Sequence, residues 1–549
     1  MTQDQNPSAS LPIAGQLTAA LLTVGLFIAQ LCVAPSLEAQ QAAREADLLI
    51  VGGRVLDGSG NPWFAGDIAV SGGRIVAVSA AGAPGDIVWT ARDTLNATGL
   101  LVTPGFIDTH SHAGPSLTTP ELSHARPILA QGVTTVFVNP DGSGALDLAR
   151  QRSELEADGL GVNVAQFVAH GTVREAVLGM EARLATDDEL QRMTALVRAG
   201  MLEGAWGMSS GPFYAPGSYS GTAELVELAR VVATYGGAYQ SHIRDESTYS
   251  IGVEAAVDEV ITVAREAGLP GVWTHAKALG PDVWGYGRAL RKRIERARAA
   301  GTEVYADQYP YLASATGLDA ALLPRWAQAG GRDSLLSRLA RTEDRARIRA
   351  DMAINLGRRG GAERIQFRYF APDRSIEGRT LAEIARAHGR DPLDAAMALM
   401  EQGSAAIVSF NMDEEDLRDL MAQPWTMTAS DGALPEWQDG VPHPRAYGAF
   451  TRKLETYVAD EEVVSLEHAI RSMTSLPARV YRMTDRGEIR PGLAADLAIF
   501  DLSELTTRST FTDPHHLAEG MRHVLVNGEF AIRNGQFIDA RAGQVLRKR

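Results

Sequence analysis

His110 and His112 stand two residues apart in the run GFIDTHSH. Alternate residues of an extended chain share a face, so both imidazoles can reach one ion. Two further histidines lie far downstream in short motifs, His242 in SHIR and His275 in THAK, and Asp431 stands in ASDG. Taken singly, each also reads as a polar strand end or a satisfied core residue. Imidazoles and a carboxylate together suit Zn²⁺, with Mn, Co or Fe as alternatives and one or two ions bound. A divalent ion so held lowers the pKa of water to about 7 and supplies a nucleophile at neutral pH. Asp431 can take the proton of that water and pass it to a leaving nitrogen. The chemistry expected of these five residues is metal-assisted hydrolysis.

Something must bring residues scattered over three hundred positions to one point. The middle of the chain alternates strand candidates with helical segments. The strands are TPGFIDTH (103–110), GVTTVFVN (132–139), VNVAQFVAH (162–170), GAWGMSSG (204–211), GAYQSHIR (237–244), GVWTHAKA (271–278), TEVYADQYPY (302–311) and WTMTASDG (425–432). Most end in polar or ionisable residues. Eight such units predict a (β/α)8 TIM-like barrel over about 101–480, whose active site sits at the C-terminal strand ends. A ninth run, AAIVSF (405–410), does not fit the count; it belongs to an insertion or just precedes the last strand. The Arg-rich helical stretch around 312–400 is too long for one βα unit and predicts a subdomain over the barrel mouth. At 46–100 and 481–549 the pattern changes to short β-runs with Gly-rich turns, among them Asn527–Gly528 and Asn534–Gly535. Both ends together predict one small β-sandwich.

Composition narrows the function. The chain has 549 residues, 45% hydrophobic and 22% charged, which reads as globular. Its formal charge of −15 and pI near 5.4 argue against a nucleic-acid partner, which would need a basic face. Only four of the 52 basic residues are lysines, so a lysine inside a motif stands out, and Lys277 lies two residues after His275. The stretch Leu17 to Val33 is apolar, followed by Pro35 and Ala39. Residues 1–39 are expected to be a signal peptide cleaved near Ala39 or, because 1–16 lack Lys and Arg, an uncleaved membrane anchor. An exported, periplasmic or secreted protein is expected, meeting a membrane only if the segment stays attached. The single cysteine, Cys32, lies inside that segment, so the remainder offers no thiolate and no disulfide.

The order HxH, His, His, Asp on strands one, five, six and eight resembles the amidohydrolase superfamily. VTPGFIDTHSH, GVTTV, SHIRDE, THAKALG, ADQYPY, ASDG, HPRAYGAF, MTSLPAR and GLAADLAIFD together resemble the D-aminoacylases, the N-acyl-D-amino-acid deacylases, over about residues 46 to 530. The resemblance implies a (β/α)8 barrel with a small β-sandwich built from both chain ends. It also implies cleavage of N-acyl-D-amino acids to a carboxylate and a free D-amino acid by metal-activated water. In that family a second-strand cysteine, in a GNCG-type motif, ligates the metal. Here GVTTVFVNPDG puts Asp141 in the slot, and a carboxylate can also bridge two divalent ions. Asp141 is therefore expected as a ligand; otherwise it only shapes a Pro-Asp-Gly turn.

The resemblance further implies that Lys277 grips the substrate carboxylate together with Tyr309 of QYPY, and that Tyr214 of SSGPFYAPG lies near the substrate. Arg445 of HPRAYG is a further carboxylate clamp candidate, and His170 and Arg174 of VAHGTVR stand near the third strand end. The expected partner is a small-molecule N-acyl amino acid or a dipeptide. Competing readings are an exported dipeptidase, a cyclic-amide hydrolase and a non-catalytic binding barrel.

Overall fold

The computed structural model describes residues 44–80 and 89–548. The segment expected to be a signal or anchor, 1–39, lies outside the described residues. Among those described, no helix is long and apolar enough to cross a membrane.

Eight parallel strands form the barrel: Phe106–Asp108, Val133–Val138, Asn163–Gln166 continued by Val168–Ala169, Gly207–Ser210, Ala238–Ser241, Gly271–Trp273, Val304–Gln308 and Thr426–Thr428. Each falls inside a run expected from the sequence. The first and last segments meet through a parallel bridge between Ser111 and Gly432, which closes the ring. Nearly every strand residue is buried, as expected of strands packed on both faces.

The helices between them follow from apolar spacing. In Val253–Ala267 the buried apolar residues are Val253, Ala256, Val257, Val260, Ile261, Val263 and Ala264, a stripe of three- and four-residue steps facing the strands. Gly268 ends it in a left-handed conformation at φ +69°, which costs a residue without Cβ little. Asp187–Leu202 starts on a reciprocal cap between Thr186 and Glu189.

Nine strands from both chain ends are hydrogen-bonded into one sheet. Leu497–Phe500 runs antiparallel to Leu101–Pro104 and joins the two halves. Ile50, Ile68, Ile75, Leu95, Ile499 and Leu525 share one core, so the sheet folds over on itself around these side chains. The turn Asn527–Gly528 has φ of +50° and +85°, the pair of positive values that a two-residue hairpin turn demands. Asp496 ties this turn to the barrel. It accepts from Asn527 N (2.6 Å) and Asn163 Nδ2 (3.2 Å) and pairs with Arg486.

The last residues leave that sheet. Val545–Leu546 pairs in parallel with Val164 and Ala165 of the third barrel strand, and Trp206 Nε1 donates to Leu546 O (2.9 Å). The tail thus wedges into the barrel wall beside Asn163–Gln166, before the third strand pairs with the fourth at Val168–Ala169.

The insertion carries its own core, including Leu322, Met352, Phe367 and Ile407. It holds an antiparallel sheet ordered Ser314–Gly317, Ala406–Ser409, Ile365–Tyr369. The ninth run is the central strand of this sheet, so the excursion reaches about 412 rather than 400. Met412 N donates to Leu312 O (3.2 Å) and closes its neck.

Candidate metal centre

The ligand candidates sit on backbone that the barrel closure fixes. Asp431 N donates to His110 O (2.9 Å), and His112 N donates to Gly432 O (2.9 Å). Two buried aspartates reinforce this. Asp108 accepts from Ser430 N (2.9 Å), Ser430 Oγ and His110 N (3.2 Å). Asp307 accepts from His275 N (2.6 Å) and Thr109 Oγ1 (3.1 Å). Asp141, His275 and Asp431 all have positive φ, at +56°, +37° and +49°. Such backbone is costly for residues with a side chain and concentrates at functional sites. Around Asp141 the loop is clamped by Ser209, which donates to Asn139 O (2.6 Å) and accepts from Gly142 N (3.1 Å).

Asp141 stands at the centre. Its Oδ1 lies 3.3 Å from His110 Nε2, 3.5 Å from His275 Nε2 and 3.8 Å from His242 Nδ1, and its Oδ2 lies 3.4 Å from His112 Nε2. Asp431 Oδ1 lies 3.2 Å from His112 Nε2 and 3.7 Å from His110 Nε2. The six form two overlapping groups whose donor atoms lie within 4.8 Å of one another: His110, His112, Asp141 and Asp431, and then Asp141, His242 and His275. Asp141 belongs to both.

These residues fit divalent metal. Both ring nitrogens of His110, both of His242 and Oδ1 of Asp141 are shielded from solvent and have no hydrogen-bond partner. Native proteins rarely leave buried polar atoms orphaned, and a bound ion satisfies such a cluster. Burial pushes His242 down to about 3, so its ring is neutral and free to coordinate. Burial alone would raise the Asp141 carboxyl, but His110, His112 and His275 outweigh it and hold it well below the usual range. Asp431 is likewise raised by burial and brought down further by Arg445, His275, His112 and His110.

The substrate-side residues are also brought together, with partners the sequence did not show. Lys277 Nζ lies 2.6 Å from Glu246 Oε1 and bonds to His275 Nδ1 (2.7 Å) and His275 O (2.9 Å). Arg445 Nη1 lies 2.7 Å from Asp431 Oδ2, and its guanidinium covers the Tyr309 ring at 4.7 Å. The Tyr309 hydroxyl points to Met412 Sδ (3.4 Å), so this residue offers the site its ring face. Tyr214 bonds through its hydroxyl to Thr316 Oγ1 (3.2 Å), linking the fourth-strand loop to the insertion. His170 and Arg174 turn away: both pair with buried Glu224.

A cavity of about 440 Å³ opens over the ligands, and the insertion strands supply one wall through Ser314, Thr316 and Ala406. Glu246 was not singled out from the sequence, although it lies in the quoted SHIRDE run four residues after His242. Asp108 and Asp307 also stood in quoted motifs, where only burial and cross-strand bonding reveal their part.

The profile of the amidohydrolase family matches residues 93–532. An N-acyl-D-glutamate deacylase of Alcaligenes xylosoxydans xylosoxydans is 36% identical over 505 residues, spanning 88% of this chain and 93% of the relative. The crystal structure of N-acyl-D-glutamate deacylase from Bordetella bronchiseptica, complexed with zinc and a phosphonate mimic of the tetrahedral intermediate, superimposes with a TM-score of 0.78 at 34% identity, over 92% of this chain and all of that one. A D-aminoacylase solved for the role of its binuclear metal centre gives 0.77 at 32% identity, over 91% of this chain and all of that one. With the barrel, the terminal sheet and the shared ligand cluster in place, the chain belongs to the amidohydrolase family, in its D-aminoacylase branch.

Proposed function

We propose that this protein hydrolyses the amide bond of N-acyl-D-amino acids, releasing a carboxylate and a free D-amino acid. One observation carries the reading: two ligand groups share Asp141 at the floor of a cavity whose walls hold Lys277 and Arg445. The names of the similar proteins supply the D configuration.

His110, His112, Asp141, His242, His275 and Asp431 would hold one or two zinc or other divalent ions, which supply Lewis acidity toward a carbonyl and make water more acidic. Asp431 moves the proton. Kept ionised, it takes a proton from the attacking water and delivers it to the amide nitrogen, so that the C–N bond breaks to an acid and a neutral amine. Arg445 lies against Asp431 and is placed to orient the carboxylate next to that nitrogen. Lys277 adds positive charge over the Tyr309 ring, held in place by Glu246. Tyr214 braces the insertion over the cavity.

Purified protein should be assayed on N-acetyl-D- and N-acetyl-L-amino acids beside dipeptides, with metal content measured on the same sample. Release of acetate from D substrates, lost on chelation and regained with zinc, is expected. Turnover confined to dipeptides or to L substrates would overturn the proposal. Export is part of the same proposal and is supported by the apolar segment Leu17 to Val33. Cell fractionation tests it, and recovery only from the cytosol would remove it.

A further inference from the structure

His242 and His275 each turn one ring nitrogen toward Asp141 and the other toward Glu246. His275 presents Nε2 to Asp141 Oδ1 (3.5 Å) and Nδ1 to Glu246 Oε1 (3.2 Å). His242 presents Nδ1 to Asp141 Oδ1 (3.8 Å) and Nε2 to Glu246 Oε2 (3.7 Å). One carboxylate thus stands behind two rings, with a different oxygen toward each. Its Oε1 also lies 2.6 Å from Lys277 Nζ. Glu246 is buried, and Oε1 is shielded from solvent without an aligned hydrogen bond, so it can still accept from a ring N–H. The backbone beneath it is fixed. Glu246 O accepts from Leu279 N (2.7 Å), two residues after Lys277. The neighbouring Asp245 accepts from Ser247 N (2.8 Å) and Gly252 N (3.0 Å).

Two groups compete for His275 Nδ1: Lys277 Nζ at 2.7 Å and Glu246 Oε1 at 3.2 Å. A ring nitrogen without a proton accepts a hydrogen bond, and one with a proton donates it, so it serves one of these partners at a time. Coordination through Nε2 leaves the proton on Nδ1. Nδ1 then donates to Glu246 and no longer accepts from Lys277. An ammonium has three N–H donors. Here they face His275 O (2.9 Å), Glu246 Oε1 and His275 Nδ1. Once Nδ1 carries its proton, the third donor is free. We propose that Glu246 is a positioning residue that couples the ligand histidines to the substrate lysine: it holds the Nδ1 proton of His275 when Nε2 coordinates, and thereby releases one donor of Lys277 to the substrate carboxylate. The inference rests on the deacylase reading.

The test compares the wild type with Glu246→Gln, which removes the charge and keeps the shape, and Glu246→Asp, which keeps the charge. Zinc affinity is measured by competition with a chromophoric chelator. Kinetics at saturating zinc are then measured on the N-acetyl-D-amino acid turned over fastest by the wild type. Glu246→Gln should bind zinc about 10- to 100-fold more weakly, the scale for a partner behind a metal ligand. At saturating zinc its KM should rise about ten-fold, with kcat falling less than KM rises. Glu246→Asp should regain part of both. Wild-type zinc affinity in Glu246→Gln, or an unchanged KM at saturating zinc, would overturn the proposal. A loss of kcat alone would mark a packing role and overturn it too. Weakened zinc binding by Glu246→Gln, in a protein that releases acetate from no substrate, would sink the deacylase reading and keep Glu246 as the brace of the ligand histidines. Absence of both effects would remove both.

Discussion

Asp141 Oδ1 lies 3.3 Å from His110 Nε2, and the same oxygen faces His275 and His242 on the other side of the site. One carboxylate therefore links ligands from the first strand to those from the fifth and sixth. Asp141→Asn keeps the side-chain shape and tolerates φ of +56°, since asparagine enters the left-handed region readily. It removes the negative charge. Bound metal should fall by at least about half, and kcat/KM by about 100-fold or more, since even outer partners of metal ligands are worth 10- to 100-fold. Elemental analysis beside kinetics checks this. Full metal content with unaltered turnover would show that Asp141 only shapes its turn.

Asp431 combines contact to the ligand histidines with an ionised carboxylate beside Arg445. Asp431→Asn also tolerates its positive φ. If the residue carries the proton, kcat should drop by about 10²- to 10⁴-fold, with KM changing far less. A variant turning over at the wild-type rate would assign the proton transfer elsewhere.

Asp496 is buried and pairs with Arg486, itself buried, while accepting from the Asn527 turn and from Asn163. Asp496→Ala leaves buried Arg486 with only the half-exposed Asp485 (3.2 Å) as counter-charge and unties the terminal sheet from the third barrel strand. Loss of about 3 kcal/mol is expected, the low end for a broken buried pair. Urea denaturation measures it, and a change below about 1 kcal/mol would mean that the sheet and the barrel are held by apolar packing alone.

Lys453 is buried with its ammonium on Thr428 Oγ1 and Ser472 Oγ, both at 2.9 Å, and its charge bears on His468. Burial pushes it down from 10.5 to about 7. Between those values the unfolded chain binds a proton that the folded chain does not. Stability from this residue therefore rises with pH across that window, by up to about 1.4 kcal/mol per unit. Comparing wild type with Lys453→Met isolates the effect: the difference should shift in favour of wild type from pH 7 to 10. Parallel pH profiles for the two would show that the lysine titrates normally.

Much of the barrel was legible because most of its strands are short β-runs that break into polar or ionisable residues at their C-terminal ends. His110, His242, His275 and Asp431 marked those ends in advance. Asp141 was reached through the slot it occupies after GVTTV. Asp108 and Asp307 were not legible, because their work is done through backbone N–H groups of Ser430 and His275, which are distant from them in sequence. The pairing of Val545–Leu546 with the third strand escaped for a different reason. Two residues carry no periodicity, and their partner lies more than 300 positions earlier.

The backbone bonds joining His110 to Asp431 and His112 to Gly432 are at once the seam of the cylinder and the frame of its reactive floor. Until the final strand docks beside the first, a nascent chain possesses neither. Maturation of the catalyst is thus tied to closure of the cylinder, and a fragment ending before Thr426 would be inert however well its earlier strands had assembled.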